Sequence, residues 1–115
     1  METKVSIDKV EVEHLSDDSP DLSYLEDDEQ DKERLADYGR TWECIGIQAK
    51  AQVSYPINKQ GDLRIEWFTS GGLWGIESDS EKEYIKELEA EQLADLKLHL
   101  EMFGIDTQNF HDKVS

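Results

Sequence analysis

From Ile45 to Tyr55 the chain alternates: Ile45, Ile47, Ala49, Ala51, Val53 and Tyr55 fall on one side, and Gly46, Gln48, Lys50, Gln52 and Ser54 on the other. A period of two sustained over this length predicts a strand with one face buried. After the turn-forming run Pro56-Ile57-Asn58-Lys59-Gln60-Gly61, alternation resumes, with Leu63, Ile65 and Trp67 set inward against Arg64 and Glu66. Residues 43–55 and 62–69 are therefore expected to form a β-hairpin.

Beyond Ser80 the apolar spacing changes to three to five residues, through Ile85, Leu88, Leu93, Leu96, Leu100 and Phe103, with strong helix formers between them. This predicts an amphipathic helix over 80–103, about six turns long. Ser78 with Glu81, and Ser80 with Glu83, have capping-box spacing, and Gly104 suits the position just past the C-terminus. The intervening stretch 70–80, SGGLWGIESDS, reads as the junction between hairpin and helix. Gly71 and Gly72 permit a sharp change of direction, and Glu77 and Asp79 complement the helix dipole. Trp74 and Ile76 are expected to seat the helix on the sheet; the alternative makes Trp74 an exposed contact for a partner.

The N-terminal third is less regular. Val5, Ile7, Val10 and Val12 allow a further strand broken near Asp8-Lys9, and residues 29–39 a short helix with Leu35 and Tyr38 on its apolar face. Between them, Asp17 to Asp31 holds eight acids and no base. Leu22, Tyr24 and Leu25 would pin this segment as an acidic loop; a disordered segment is the other reading. The whole is an α+β fold in a single domain over 1–115: an N-terminal strand region (1–16), acidic loop and short helix (17–40), hairpin (41–70), Gly/Trp junction (71–79), long helix (80–104) and tail (105–115). A largely antiparallel sheet of three or four strands carries the long helix on one face. Trp67, Ile65, Ile47, Val53, Leu88, Leu96 and Leu100 are its expected core.

Charge changes the picture most. The net charge is −16 over 115 residues. It divides into −9 over residues 1–40, zero over 41–76 and −6 over 77–101, so acid flanks a neutral centre. Direct binding to nucleic acid or anionic lipid would have to overcome that repulsion, which leaves basic proteins as the expected partners. No apolar run approaches a membrane span, and the charged start is unlike a signal peptide, so a cytoplasmic protein is expected. The single cysteine, Cys44, has no disulfide partner within the chain.

Catalytic and cofactor motifs are missing. The glycines around Trp74 lack the spacing of a dinucleotide or phosphate loop, and His14, His99 and His111 form no zinc signature. Asp17, Asp18, Asp21 and Glu26–Glu29 lack the spacing of a calcium loop. Cys44 has no activating base beside it in sequence. The reading is a non-enzyme without cofactor or metal; a small hydrolase or metal-dependent enzyme with a site not visible in sequence is the remaining alternative.

One constellation stands out. Glu83, Glu87, Glu91 and Asp95 recur at i, i+4, which stacks four carboxylates about 6 Å apart along the helix axis, with Lys82 and Lys86 relieving only the first turns. With Asp27 and Asp28 of the acidic loop, and with Trp74, these are the candidate partner-binding residues. Such a row could occupy a protein's nucleic-acid groove.

Asp21-Leu22-Ser23-Tyr24-Leu25-Glu26, Ile45-Gly46-Ile47 and the run from Thr69 to Ser80, followed by a Glu/Leu-rich helix ending near Gly104, together resemble a group of small proteins without assigned activity. That group is common in bacteria and their phages or other mobile elements. The resemblance covers roughly residues 20–105 and implies a phage or mobile-element setting, in which small acidic proteins act as counter-defence inhibitors. The expected function is a non-enzymatic inhibitor of the DNA-mimic, anti-restriction or anti-CRISPR type, acting in the host cytoplasm on a basic surface such as that of a nucleic-acid-binding defence complex. The competing expectation is a structural or assembly accessory that binds through the sheet face or Trp74, with the acid serving solubility.

Overall fold

The computed structural model describes residues 5–26 and 29–115. Its centre is β2 (Cys44–Pro56), the strand with the unbroken alternation. β1 (Ser6–Ser16) pairs antiparallel along one edge, from Ser6 opposite Ser54 to Ser16 opposite Ile45, with a bulge at the Asp8-Lys9 break. The other edge is shared. β3 (Leu63–Thr69) pairs with the C-terminal half of β2, and β4 (Leu73–Glu77) with its N-terminal end, so the two lie end to end in a four-stranded antiparallel sheet.

α2 (Lys82–Met102) crosses one face of this sheet. Leu96 and Leu100 pack against Val10, Ala49, Ala51, Val53 and Phe110, and Leu88 packs against Ile45, Ile47 and Ile76. Gly104, at φ +79°, ends the helix in a Schellman arrangement: its N–H donates to the Glu101 carbonyl, and the Ile105 N–H to that of Leu100. The capping boxes do not form. Glu81 is the N-cap with no side-chain bond; the Ser78 hydroxyl instead accepts the Glu43 N–H, and the Ser80 hydroxyl donates to the Glu77 carbonyl. Ser80 is taken by the end of β4, and Ser78 by the residue that leads into β2.

Two core expectations are overturned. Ile47, Val53, Leu88, Leu96 and Leu100 are buried, but Ile65 is 57% and Trp67 45% exposed. In the register Trp67 lies opposite Gln52 and Ile65 opposite Ser54, on the face away from α2, while Phe68 opposite Ala51 turns inward to meet Phe103. The junction also holds more structure than expected, since β4 is a strand. Gly75, at φ +74°, bulges it so that Leu73 and Ile76 pack on the same side, against Ile47 and Ile45.

A third cluster closes one end of the sheet. α1 (Lys32–Ala36), after a 3-10 turn at Glu29–Asp31, brings Leu35 and Tyr38 onto Leu25, Trp42 and Cys44. The acidic segment is thus pinned by Leu22 and Leu25, while the Tyr24 ring stays 53% exposed and is tied by its hydroxyl.

Candidate interaction surfaces

The four carboxylates of the helix row do not act alike. Successive i, i+4 positions advance about 40° around a helix, so the row spirals toward the sheet as it rises. Glu83, Glu87 and Glu91 are exposed, and their side chains bond to no other described residue. Asp95 arrives where β3 ends and β4 begins: its carboxylate accepts the Gly71 N–H at 3.0 Å and lies 3.6 Å from His99. It thus also ties down the strand break, with its side chain 38% exposed. Lys82 and Lys86 make no ion pair with a described residue, so the row is not neutralised by close contacts. Asp27 and Asp28 lie outside the described residues.

The strand break explains the glycines of the junction. Gln92, buried beside Asp95, accepts the Ser70 hydroxyl at 2.6 Å and the Gly72 N–H at 2.9 Å, and Ser70 Oγ in turn accepts the Ala49 N–H at 2.9 Å. The Ser70 carbonyl takes the Gln48 amide. Of the backbone groups that the interrupted ladder leaves unpaired, the Gly71 and Gly72 N–H groups are thus met by two helix side chains, and the Ser70 carbonyl and Ala49 N–H by side chains of the sheet itself.

The remainder of the same stretch is a hub. Arg34 makes a bidentate pair with Asp79 at 2.8 and 3.0 Å, reaches Glu77 at 3.1 Å and stacks on Trp42 with its guanidinium carbon 4.0 Å from the ring centroid. The Tyr24 hydroxyl donates to Glu77 at 2.7 Å, and the Gly75 N–H to Asp17 at 3.1 Å. Arg34 holds the Asp79 carboxyl below its ordinary value. Burial and the adjoining Glu77 carboxylate push the Tyr24 phenol up. Asp17, Tyr24 and Arg34 are therefore joined with Gly75, Glu77 and Asp79, far apart in sequence, in one contact network.

Trp74 does not seat the helix. Ile76 does, against Leu88 and Ile85. The Trp74 ring lies on the opposite face over Gly46, where a Cβ would fall inside the indole, and it is 51% exposed. Further along that face Trp67 stands between the Lys9 and Lys50 ammonium groups, 5.2 and 4.7 Å from its ring centroid, and Lys50 is itself paired with Glu11 and Glu13. α2 lies on the other side of the sheet, and among the described residues the α1 cluster reaches this face at the Cys44 end. Sequence reasoning missed Trp67 as a surface residue; its neighbours Gln52 and Lys50 in the register were the available signal.

Cys44 is buried, and burial raises its thiol pKa, which suits a packed side chain and disfavours a nucleophile. Among the described residues no group of His, Cys, Asp or Glu is arranged to hold a metal ion, and no helix is long and apolar enough to cross a membrane. No protein-family model, curated protein or solved structure matches the chain.

Proposed function

We propose that this chain is a non-enzymatic interaction protein whose acidic helix face and acidic loop occupy a basic, nucleic-acid-binding surface of another protein, as a DNA mimic or counter-defence inhibitor does. The observation that carries the reading is the line of Glu83, Glu87 and Glu91, exposed and unpaired with any described residue, on a rigid helix anchored by four buried side chains. Shape and charge density add to it. The described residues carry −14, because Asp27 and Asp28 fall outside them and Glu2 and Lys4 cancel, and they extend over 67 × 23 × 21 Å. That is about 5 Å of length per net charge, nearer the 3.4 Å of one DNA strand than the 1.7 Å of a duplex. A target that tracks a single strand or one backbone suits it better than one that encloses a duplex.

The test is affinity capture from bacterial lysate with low-salt and high-salt washes and mass-spectrometric identification, followed by competition with DNA. A nucleic-acid-binding protein that is released by salt, displaced by DNA and lost with Glu87→Lys/Glu91→Lys supports the reading. Partners that resist salt and ignore the double variant count against it. The half-exposed Trp67 and Trp74 favour a second reading, an assembly protein that binds through the uncovered sheet face.

A further inference from the structure

The uncovered sheet face differs from the rest of the molecule in charge. Around Trp67 its ionic residues are Lys9 and Lys50 against Asp8, Glu11 and Glu13, a net −1 in a chain of −16, while Asp17 and the Glu77–Arg34 pair border its Trp74 end. Asp8 is bonded to Ser54, and the other four are joined through Lys9–Glu11, Lys50–Glu11 and Lys50–Glu13 contacts. The apolar groups on it are large and exposed: Ile65 57%, Trp67 45% and Trp74 51%. Gln48 and Gln52 supply uncharged polar atoms between them.

We infer that this face binds a second copy of the chain, sheet against sheet, with Trp67 and Trp74 at the centre of the contact. Two chains of this charge cannot bring their acidic helix sides together without severe repulsion, whereas this face meets itself almost neutral. Its alternating lysines and glutamates also offer each copy the opposite charge across a two-fold axis. The size is adequate. β2 has 13 residues at about 3.3 Å each, and three strands lie side by side about 4.8 Å apart, which gives about 600 Å² per copy. That meets the lower bound of about 1,200 Å² in total for a specific interface, so the dimer is a reversible one. Packed sheets about 10 Å apart would bury both tryptophans. The proposal gives the sheet-face reading an occupant and stands without the acidic-helix reading, since α2 lies on the other side.

Sedimentation velocity of the full chain, from low micromolar to millimolar concentration at two salt concentrations, tests it. A monomer–dimer equilibrium is expected that tightens with salt, because salt screens the net repulsion and leaves the neutral contact intact. Gln52→Glu and Trp67→Ala should each weaken the dimer about tenfold or more, with circular dichroism unchanged, and Glu87→Lys/Glu91→Lys should leave it in place. Trp67→Ala tests the anchor; Gln52→Glu adds a carboxylate from each copy at the centre and disturbs the fold less. A chain monomeric throughout, or a dimer indifferent to both face variants, overturns the proposal. A dimer abolished by the helix variants does so equally and moves self-association to α2.

Discussion

Gln92 and Ser70 meet where the sheet is interrupted: the helix amide oxygen, 6% exposed by residue, accepts the serine hydroxyl at 2.6 Å and, from the same break, the Gly72 N–H at 2.9 Å. With Asp95, which takes the Gly71 N–H, this glutamine closes the ladder that Gly71 and Gly72 open and ties α2 to the strand break.

Removing that oxygen leaves the buried Ser70 hydroxyl and the half-buried Gly72 N–H without their acceptor. Gln92→Ala is expected to cost about 2 to 4 kcal/mol, read from urea denaturation. Asp95→Asn should cost less, because its Gly71 contact lies at the surface. Equal losses would mean that packing, and not the hydrogen bonds, decides the cost at 92.

Gly46 and Trp74 give a coupled pair. Gly46→Ala must push the indole off the sheet and should cost about 1 to 3 kcal/mol. In a Trp74→Ala background the three atoms nearest the new Cβ are gone, and the cost should fall to roughly zero or reverse, since alanine suits a strand better than glycine. Additive losses across the double-mutant cycle would show that the ring is not what excludes a side chain at 46.

The Arg34–Asp79 pair sets the acid limb of stability. Asp79 has a folded pKa below its ordinary 3.8, with the hydrogen bonds from Arg34 as the largest cause. A depressed carboxyl contributes stability that is present above the unfolded value and lost as pH falls through the folded one. Arg34→Gln should therefore lower the thermal midpoint at pH 6, and its gap to the parent should narrow as pH drops below about 3.8. Asp79 is 46% exposed, so the effect is modest and shrinks in salt. A gap that stays constant down to pH 2 would assign the loss to the stacking on Trp42.

Much of this architecture was legible in the chain. The alternation of β2 and the apolar spacing of α2 depend on burial along a whole element, and both elements lie where the pattern put them. Alternation says which residues share a face, not which face is covered, so Leu63, Ile65 and Trp67 were read inward although it is Phe68 that meets the helix. β4 was hidden because Gly75 bulges it and breaks the period of two over a strand of 5 residues. In the acidic row, i, i+4 spacing grouped four carboxylates, but the 40° drift per step carries the last into the sheet break. That depends on tertiary position, which spacing does not encode.

The surviving row separates stability from function. Glu83, Glu87 and Glu91 repel one another at i, i+4, by a few tenths of a kcal/mol per pair. Glu87→Lys replaces two repulsive pairs with two attractive ones, so the variant should be more stable than the parent by about 0.5 to 1 kcal/mol at low salt, a gain that disappears at high salt. If the row is kept for an external basic surface, the stabilised variant should bind that surface more weakly, its association rate falling more than its dissociation rate rises. A residue that costs stability alone and improves binding in the intact chain fits a role outside the fold. If Glu87→Lys gains stability and binds the captured partner as fast as the parent, the acid serves solubility, and the sheet face is left as the contact.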